Sequence, residues 1–459
     1  MNRWLAWNLF FPLHEWAKGH PTIRMLREME AVDRLSAAEL DQFQRARLRA
    51  FLDYCFAHVP YVRNCFADAG ITPSSIQGPE DLSALPLLTK AVVRQHRAEL
   101  RSGRAANLRS FTTGGSTGEP LLFDLPKGRI ASQVASRQRI SRWWGVSIGD
   151  REFALWGSPI EVTRQDLWRG VRDRLLRTRL FPAFEMNESV MSRYLDALEA
   201  GGWRQVFGYP SALYVLCLHA RREGRDLRKL GIKVAFVTSE MLFPYQRELI
   251  SDTLNCPVAN GYGGRDSGFI AHECPQGGMH IMADGMIVEI LDEQGQSVPA
   301  GETGDIVVTD LYSQEVPFLR YVTGDRGALS LQRCSCGRAL PLLKSIEGRS
   351  NDNIRTPDGR IMNSLAMVYP LRELPGIEQF RICQKALDWF HVQIVRGSEF
   401  TSNTEEQLRN RWMQLFRCNL RLTFEYVNSL PREKSGKFRH VVSEVPEDAI
   451  LLSSTERRG

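Results

Sequence analysis

The chain has 459 residues, 43% of them hydrophobic and 24% charged, and this length and composition are typical of a soluble globular protein with two or three folding units. The formal net charge of +6 comes from arginines that are scattered along the chain, so it does not indicate a nucleic-acid-binding protein. The nine cysteines form no small-domain disulfide pattern, which favours a reducing compartment. No apolar run reaches the ~18 residues of a membrane-spanning helix, which excludes a transmembrane protein.

The N-terminal segment is unusually rich in large apolar side chains. These are Trp4, Leu5, Trp7, Phe10, Phe11, Leu13 and Trp16. Pro12 interrupts the run and no small-residue cleavage site follows it, which argues against a signal peptide. Two interpretations remain open: the segment lies on a membrane surface with its tryptophans at headgroup level, or it packs against the body of the protein.

Residues 1–105 are predicted to form a mainly helical preface to the rest of the chain. Apolar residues recur every three or four positions after Ser36, and Ser36 with Glu39 has the spacing of a capping box. Pro60 is expected to end this helix, and Gly70 to close a second, shorter one.

The segment Phe111–Pro120 combines glycines with hydroxyl residues. Its central residues are Thr112, Thr113, Gly114, Gly115, Ser116, Thr117 and Gly118. Glycine lets the backbone approach a ligand closely, and consecutive N–H groups with hydroxyls suit phosphate oxygens. The segment is not a GxxxxGK[ST] loop, because Gly118 is followed by Glu119 and a proline. It is therefore predicted to be a phosphate-binding loop of another kind, and the alternative is an ordinary turn.

After this loop, short apolar segments alternate with helical ones. The apolar segments are 121–125, 151–157, 204–210, 232–240 and 256–263. This alternation predicts βαβ units and a largely parallel sheet, in which ligands bind at the carboxyl ends of the strands. Polar and glycine residues occur at these ends, among them Ser239, Glu240 and Gly261, so we expect a ligand site there.

The pattern changes twice more before the end of the chain. Residues 280–311 have period-two apolar positions and glycine turns, which predict antiparallel strands. The last hundred residues hold an independent alternation of strands and helices. We therefore predict an α/β protein with a large N-terminal domain, residues 1–348, and a small C-terminal domain, residues 349–459.

Four stretches carry a resemblance to a known family. They are FTTGGSTGEP (111–120), NGYGGRDSG (260–268), RYVTGD (320–325) with EGRSNDNI (347–354), and PREKSGKFR (431–439). In this order they resemble the signature segments of the adenylate-forming acyl ligase superfamily, and most closely the phenylacetate-CoA ligase family with its capsular polysaccharide biosynthesis branch. The resemblance implies a large adenylate-forming domain with parallel and mixed sheets and a small, mobile α+β domain. It also implies that an acid and ATP give an acyl-adenylate and pyrophosphate, after which the acyl group passes to a thiol, commonly that of coenzyme A.

The resemblance also assigns roles to single residues. Lys437 matches a mobile lysine that reaches the α-phosphate, and Asp325 matches a residue that accepts hydrogen bonds from the ribose hydroxyls. Arg349 matches an arginine that holds ribose and phosphate. Asp266 stands where the superfamily has a glutamate that holds Mg²⁺, and aspartate can serve the same purpose. The alternative for Asp266 is a loop aspartate that caps the following turn.

The remaining ATP-binding positions follow from the same stretches, and Ser239 and Glu240 at the end of segment 232–240 are also predicted to bind the nucleotide. Tyr262 offers a flat face for adenine between Gly261 and Gly263, which leave room for a base. The hydroxyls and glycines of the loop would donate hydrogen bonds to the β- and γ-phosphates. Glu119 is a departure, because family loops often carry a lysine at this position.

Four further residues have the composition of a zinc site. Cys274 and His280 lie in one turn-rich segment, and Cys334 and Cys336 lie in another. Three cysteines and one histidine suit a closed tetrahedral Zn²⁺ site with no position open for catalysis, and His272 is a substitute ligand. The alternative is a group of reduced thiols that the fold brings together.

The acid substrate is the least readable part of the sequence. Candidate pocket residues are Trp156, Tyr209, Phe236 and Gly264, which suggest an apolar or aromatic acid but define no specificity. The leading prediction is a cytoplasmic acid ligase that uses ATP, Mg²⁺ and coenzyme A, with contact to the inner membrane surface and a homodimer left open. The acyl group could instead pass to a sugar or amine in polysaccharide or secondary-metabolite biosynthesis. A third hypothesis is a non-catalytic nucleotide-binding scaffold.

Overall fold

The computed structural model divides the chain into two compact units, Met1–Ile346 and Glu347–Gly459. It describes residues 3–112, 121–157, 172–183, 186–349, 353–358, 361–363, 367–368, 370–371, 374–431 and 438–445.

The first unit begins with a helical preface, as the sequence predicts. Its helices are α1 (Arg3–Leu5), a π-helix (Ala6–Phe10), α2 (Phe11–Ala17), α3 (Thr22–Val32), α4 (Ala37–His58), α5 (Pro60–Asp68) and α6 (Lys90–Gln95), with short 3₁₀ helices at Pro73–Ser75 and Pro79–Ala84. The capping box is present, because the Glu39 N–H donates to Ser36 Oγ and the Ser36 N–H donates to Glu39 Oε2. Pro60 occupies the first position of α5, where its missing N–H needs no partner. It therefore starts a helix, as well as following the end of one.

The glycine-rich segment lies between two strands that form a small antiparallel sheet of their own. These are β1 (Arg109–Thr112) and β2 (Leu122–Leu125), and Thr112 faces Leu122. Placing residues 121–125 in the parallel sheet was therefore wrong, because β2 pairs with β1 within the described residues. Residues 113–118 of the predicted phosphate loop lie outside the described part of the chain.

A parallel layer of strands follows, with helices between them. Its elements are α7 (Lys127–Trp143), β3 (Glu152–Leu155), β4 (Thr178–Phe181), α8 (Glu188–Ala200), β5 (Gln205–Gly208), α9 (Pro210–Arg222), a 3₁₀ helix (Leu227–Leu230), β6 (Val234–Thr238), α10 (Pro244–Leu254) and β7 (Val258–Gly264). The strands lie in the order β4-β3-β5-β6-β7 and every pair is parallel. The sequence prediction missed β4.

An antiparallel part extends the same sheet to eleven strands. Its strands are β8 (Gly268–Glu273), β9 (Met279–Ile281), β10 (Met286–Leu291), β11 (Gly304–Asp310), β12 (Tyr321–Leu329) and β13 (Leu342–Arg349). The full order is β10-β11-β12-β13-β9-β8-β7-β6-β5-β3-β4. The sheet therefore changes from parallel to antiparallel pairing after β7, which is also where the second signature stretch lies.

The helices between the parallel strands cover one face of this layer. Its core includes Phe153, Leu155, Leu195, Val206, Leu213, Leu216, Val237 and Ile250, all of which are buried. Burying such a side chain stabilises the fold by roughly 1.5–3 kcal/mol. The parallel layer is therefore a rigid support for the loops at its carboxyl end.

The second unit has its own sheet. Its elements are β14 (Asn353–Arg355), β15 (Ile361–Asn363), β16 (Ile377–Ala386), β17 (Trp389–Arg396), α11 (Ser402–Phe416), β18 (Arg421–Tyr426) and β19 (Val441–Ser443). The four-stranded sheet has the order β18-β17-β16-β19 and buries Phe390, Trp412 and Phe416. Lys437 lies outside the described residues, between β18 and β19.

Candidate active site

Asp266 lies in the tight turn that joins β7 to β8, directly after the carboxyl end of the parallel layer. Its carboxylate accepts a hydrogen bond of 2.7 Å from the hydroxyl of Tyr321, a fully buried residue that begins β12. Its backbone carbonyl accepts a hydrogen bond from Arg129, and the Asp310 carboxylate lies 2.7 Å from the Arg129 guanidinium. The turn is thus held from two sides, which fixes the direction of the Asp266 carboxylate.

A second tyrosine–aspartate pair lies beside the first. The Tyr262 hydroxyl donates a hydrogen bond of 2.8 Å to the Asp325 carboxylate. Burial and, after it, the Asp325 charge raise the pKa of Tyr262 well above its ordinary value, so this hydroxyl stays protonated and donates. Burial likewise raises the pKa of Tyr321, and the charges of Asp266 and Asp325 add to the effect. Both carboxylates therefore lie within electrostatic reach of one buried phenol.

The glycines around Tyr262 are required by the packing of the protein itself. A Cβ at Gly261 would lie 2.9 Å from the ring of His272, and one at Gly263 would lie 2.3 Å from the carbonyl oxygen of Gly268. From the sequence, these glycines are predicted to leave room for a base. The structure provides a second reason for them that does not depend on a ligand.

The start of the glycine-rich segment lies close to this turn. Arg265, the neighbour of Asp266, donates a hydrogen bond of 3.4 Å to the carbonyl of Thr112. Its guanidinium also lies 5.9 Å from the centre of the Phe111 ring. The structure therefore brings Thr112, Tyr262, Asp266 and Asp325 together, as the sequence predicts, whereas the side chain of Arg349 is outside the described residues.

Ser239 and Glu240 follow the carboxyl end of β6. Ser239 has a positive φ of 70°, which is uncommon for a residue other than glycine and is found more often at functional sites. The Glu240 carboxylate accepts a hydrogen bond of 3.1 Å from the Ser211 N–H in the first turn of α9. Glu240 therefore stabilises a helix N-terminus beside its predicted role in nucleotide binding.

The predicted pocket residues differ in exposure. Tyr209 and Phe236 are 3% and 4% exposed and pack in two separate apolar clusters, so both contribute to the core. Trp156 stacks on Tyr209 at 4.1 Å between ring centres and is only partly buried. Gly264 is exposed. Trp156 and Gly264 are therefore the two positions that a substrate can reach most easily.

The structure brings together the four predicted zinc ligands. Their ligand atoms all lie within 4.8 Å of one another; Cys274 Sγ is 3.5 Å from Cys334 Sγ, and His280 Nε2 is 3.1 Å from Cys336 Sγ. His280 Nδ1 lies 3.1 Å from the Leu340 carbonyl, which directs Nε2 towards the three sulfurs. Three thiolates and one imidazole in this arrangement fit a tetrahedral Zn²⁺ ion.

His272 is not a member of this group. Its Nδ1 lies 2.9 Å from the Glu273 carbonyl, and its ring packs against Phe236 and Phe269. Burial lowers the pKa of His272 to about 4. The prediction of His272 as a substitute zinc ligand is therefore wrong, because its ring serves the packing beside Gly261.

Sequence reasoning missed the residues that support the carboxylates. Tyr321 lies within the RYVTGD stretch but is 55 positions away from Asp266 in the chain. Arg129 lies on α7, in a segment whose only visible pattern is helical. A tyrosine at the start of a signature stretch was a usable signal, whereas nothing distinguished Arg129 from the other arginines.

The chain is similar to several known proteins. Residues 354–444 match the family model of the CapK C-terminal domain. The phenylacetate-coenzyme A ligase of Thermus thermophilus is 24% identical over 330 residues, which cover 70% of this chain and 73% of that enzyme. Protein CapK of Staphylococcus aureus is 21% identical over 420 residues, which cover 89% of this chain and 90% of that protein.

Solved structures show the same fold. The crystal structure of 2-hydroxyisobutyryl-CoA ligase in the postadenylation state with 2-HIB-AMP matches with a TM-score of 0.73 and 21% identity, over 93% of this chain and 94% of that one. An anthranilate CoA ligase in complex with anthranoyl-AMP matches with a TM-score of 0.51 and 16% identity, over 76% and 66%. The predicted α/β fold is confirmed, and so is the predicted similarity to the phenylacetate-CoA ligases and to protein CapK. The predicted class, an AMP-forming acid–thiol ligase, is that of these homologues.

Proposed function

We propose that this chain, a homologue of the phenylacetate-CoA ligases and of protein CapK, is an ATP-dependent carboxylic acid ligase that forms an acyl-adenylate and passes the acyl group to a thiol. One observation carries the proposal. Two carboxylates, Asp266 and Asp325, are each held by a tyrosine hydroxyl at the carboxyl end of the parallel layer, beside the strand that enters the glycine-rich segment.

The first step joins two anions, so the site must neutralise charge. An oxygen of the substrate carboxylate attacks the α-phosphorus of ATP, and pyrophosphate leaves with the electron pair of the broken P–O bond. Residues 112–118 would donate hydrogen bonds to the leaving phosphates, and Lys437 would stabilise the α-phosphate. Bound Mg²⁺ would supply positive charge at the phosphates, and Asp266 is the residue that would hold it, since one or two carboxylates suffice for this ion.

The nucleoside would be held by the second pair. The Asp325 carboxylate has two oxygens for the vicinal ribose hydroxyls, and Arg349 would contact ribose and phosphate. Tyr262, with its hydroxyl fixed by Asp325, would present its ring to adenine between Gly261 and Gly263. Ser239 and Glu240, at the next strand end, would line the same nucleotide.

In the second step the sulfur of a thiol attacks the acyl carbonyl carbon, the thiol proton is released to solvent, and AMP leaves with the electron pair of the broken C–O bond. We propose coenzyme A as the thiol because the matched ligases are named for it. The acid would enter beside Trp156 and Gly264. A second candidate acceptor, a sugar or amine of a polysaccharide pathway, is favoured by the match to the CapK C-terminal domain.

One assay separates these possibilities. Pyrophosphate release is measured with a panel of carboxylic acids, with and without coenzyme A, for the wild type and for Lys437→Ala. Three results together would support the proposal: pyrophosphate release depends on one acid, a thioester forms, and the release falls at least ~100-fold in Lys437→Ala. Release without thioester would indicate another acceptor, whereas no release with any acid would leave a nucleotide-binding scaffold.

We also propose that Cys274, His280, Cys334 and Cys336 hold one structural Zn²⁺ ion. Four protein ligands leave no open position, so the ion would tie two turns together without taking part in the reaction. Metal analysis of protein purified without chelator should give about one zinc per chain, and Cys336→Ser should lose it. Cys383→Ser, a half-buried cysteine of the second unit, is the matched control and should retain the metal. Wild-type protein without zinc would refute the site.

The expected cellular location follows from the co-substrates. ATP and coenzyme A are compounds of the cytoplasm, so we place the reaction there, with a small-molecule acid as the partner. Within the described residues, no helix is long and apolar enough to cross a membrane.

A further inference from the structure

The N-terminal helices carry an exposed apolar stripe. Its members and their exposed fractions are Trp4 66%, Leu5 37%, Leu9 60%, Leu13 57% and Trp16 76%. The described part of the chain contains nine large apolar side chains with such exposure, and five of them lie in these 13 residues. Apolar exposure is thus concentrated on one short segment, which marks an interaction surface.

The π-helix aligns this stripe. In an α-helix, residues five positions apart such as Trp4 and Leu9 would lie about 140° apart around the axis. The turn Ala6–Phe10 is wider, and the Phe11 N–H donates to the carbonyl of Ala6, five residues earlier. This brings Trp4 round towards the face that carries Leu9 and Trp16. π-turns are rare and often accompany functional sites.

The face of the N-terminal helices opposite the stripe packs against the body of the first unit. The stripe therefore faces outwards. Ala6, Phe11 and Glu15 are buried, and the Glu15 carboxylate accepts a hydrogen bond of 2.5 Å from Thr22 Oγ1. A Cβ at Gly149 would lie 2.7 Å from the Arg3 carbonyl, which shows how closely the helix approaches the body of the unit. The packing interpretation of this segment is therefore correct for one face of the helix and leaves the other face unexplained.

Cationic side chains lie at both ends of the stripe. We call them the cationic rim: Arg3 and Arg177 at one end, and Lys18, Arg109 and Arg172 at the other. Arg3 lies 3.3 Å from Asp150, and Arg177 donates to the carbonyl of Gly149, the residue that Arg3 touches. At the other end of the stripe, Lys18 pairs with Glu15. Burial lowers the pKa of the Lys18 ammonium, Glu15 raises it, and the charges of Arg172 and Arg109 lower it again, so these two arginines lie near Lys18. Three acidic residues lie beside these cations, and each pairs with one of them: Asp150 with Arg3, Glu15 with Lys18, and Asp173 with Arg172.

We propose that this face binds the surface of an anionic phospholipid bilayer, with the helix lying in the headgroup region. The two tryptophans would sit at the interface between headgroups and acyl chains, and the leucines would reach the acyl chains. The cationic rim would meet the lipid phosphates. A second copy of this chain fits less well, because an antiparallel pairing of two stripes would bring two cationic rims together.

Flotation of the full chain with vesicles tests the proposal. Wild-type protein should float with vesicles of phosphatidylcholine and phosphatidylglycerol, and should bind at least tenfold less to phosphatidylcholine alone or in 1 M salt. The double variant Trp4→Gln, Trp16→Gln should lose at least tenfold in binding and keep its melting temperature and its pyrophosphate release. Leu331→Gln, which changes an 82% exposed leucine elsewhere, is the matched control and should bind as the wild type does.

Fluorescence quenching of the wild-type protein tests membrane binding without relying on any variant. Lipids with brominated acyl chains should quench part of the tryptophan fluorescence, because quenching requires contact at acyl-chain depth. Wild-type protein that neither floats nor is quenched would overturn the proposal. A wild-type dimer that dissociates in the double variant, without vesicle binding, would overturn it in favour of an interface between two copies.

Discussion

At the scale of single residues, Asp266 is the residue that we propose to hold Mg²⁺, and it stands where the resemblance of its sequence stretch leads us to expect a glutamate. We predict that Asp266→Asn lowers pyrophosphate release at least ~100-fold, since it removes the charge that would hold Mg²⁺ against the phosphates. The carboxylate is half-buried and its partner is a neutral hydroxyl, so the melting temperature should change little. Asp266→Glu, which restores the superfamily residue, should retain most of the activity. Unchanged turnover of Asp266→Asn would remove this residue from the site.

The two tyrosine–aspartate pairs allow a matched comparison, because Tyr321→Phe and Tyr262→Phe each remove one hydroxyl. Tyr321→Phe loosens Asp266, so we expect a fall of about tenfold in kcat. Tyr262→Phe loosens Asp325, so we expect the KM for ATP to rise by a similar factor. Each variant should cost about 1 kcal/mol of stability, the usual value of one buried hydrogen bond. Steady-state kinetics with varied ATP distinguish the two, and equal effects on both parameters would show that the pairs have no separate roles.

The signature stretches were sufficient to select Tyr262, Asp266 and Asp325, because each stands at a fixed place in a short motif. They were not sufficient to pair them. The contact of Asp266 with Tyr321 depends on strands β7, β8 and β12 belonging to one sheet whose order does not follow the chain. Buried supporting residues of this kind become visible only when the sheet order is known.

At the scale of elements, the alternation of strands and helices predicted the parallel layer well, because its strands are buried and read as continuous apolar runs. The failures have specific causes. β4 is an edge strand with exposed Arg179 and Leu180, so it lacks the apolar signal. β2 has the buried composition of a sheet strand, but it pairs with β1 across the glycine-rich segment. Composition predicts that a segment is a strand more reliably than it predicts which strand that segment pairs with.

The capping box of α4 is an element whose sequence signal and structure agree. We predict that Ser36→Ala lowers the free energy of unfolding by about 1 kcal/mol, because the first turn of the helix loses a hydrogen-bond acceptor. Ser83→Ala is the control, because the side-chain hydroxyl of this exposed serine makes a long contact of 3.5 Å to the Glu80 carbonyl. Urea denaturation should show a shift for Ser36→Ala and almost none for Ser83→Ala. Equal shifts would mean that the box adds nothing to an already packed helix.

At the scale of the whole first unit, buried arginines join the helical preface to the sheet. Arg320 donates to the carbonyl of Leu85 in the preface and pairs with Glu289 of β10 at 2.9 Å. Arg139 on α7 bridges Asp33, which follows α3, and Asp284, which precedes β10. The preface is therefore held by charged contacts of two buried arginines, as well as by apolar packing. Sequence reasoning identified the preface but gave no indication of these ties, since the arginines are scattered.

Arg139 offers the sharpest test of this arrangement, because α7 also carries Arg142, three positions later, in an exposed ion pair with the preface. Arg139 is fully buried, and Arg139→Met would leave the buried Asp284 without this cation and Asp33 with Arg338 at 3.8 Å, a loss that typically costs about 3–5 kcal/mol. The side chains of Arg142 and its partner Glu30 are each 31% exposed, so Arg142→Met should cost less than about 1 kcal/mol. Urea denaturation of the full chain should therefore shift at least three times further for Arg139→Met. Similar midpoints for both variants would mean that apolar packing alone holds the preface to the sheet.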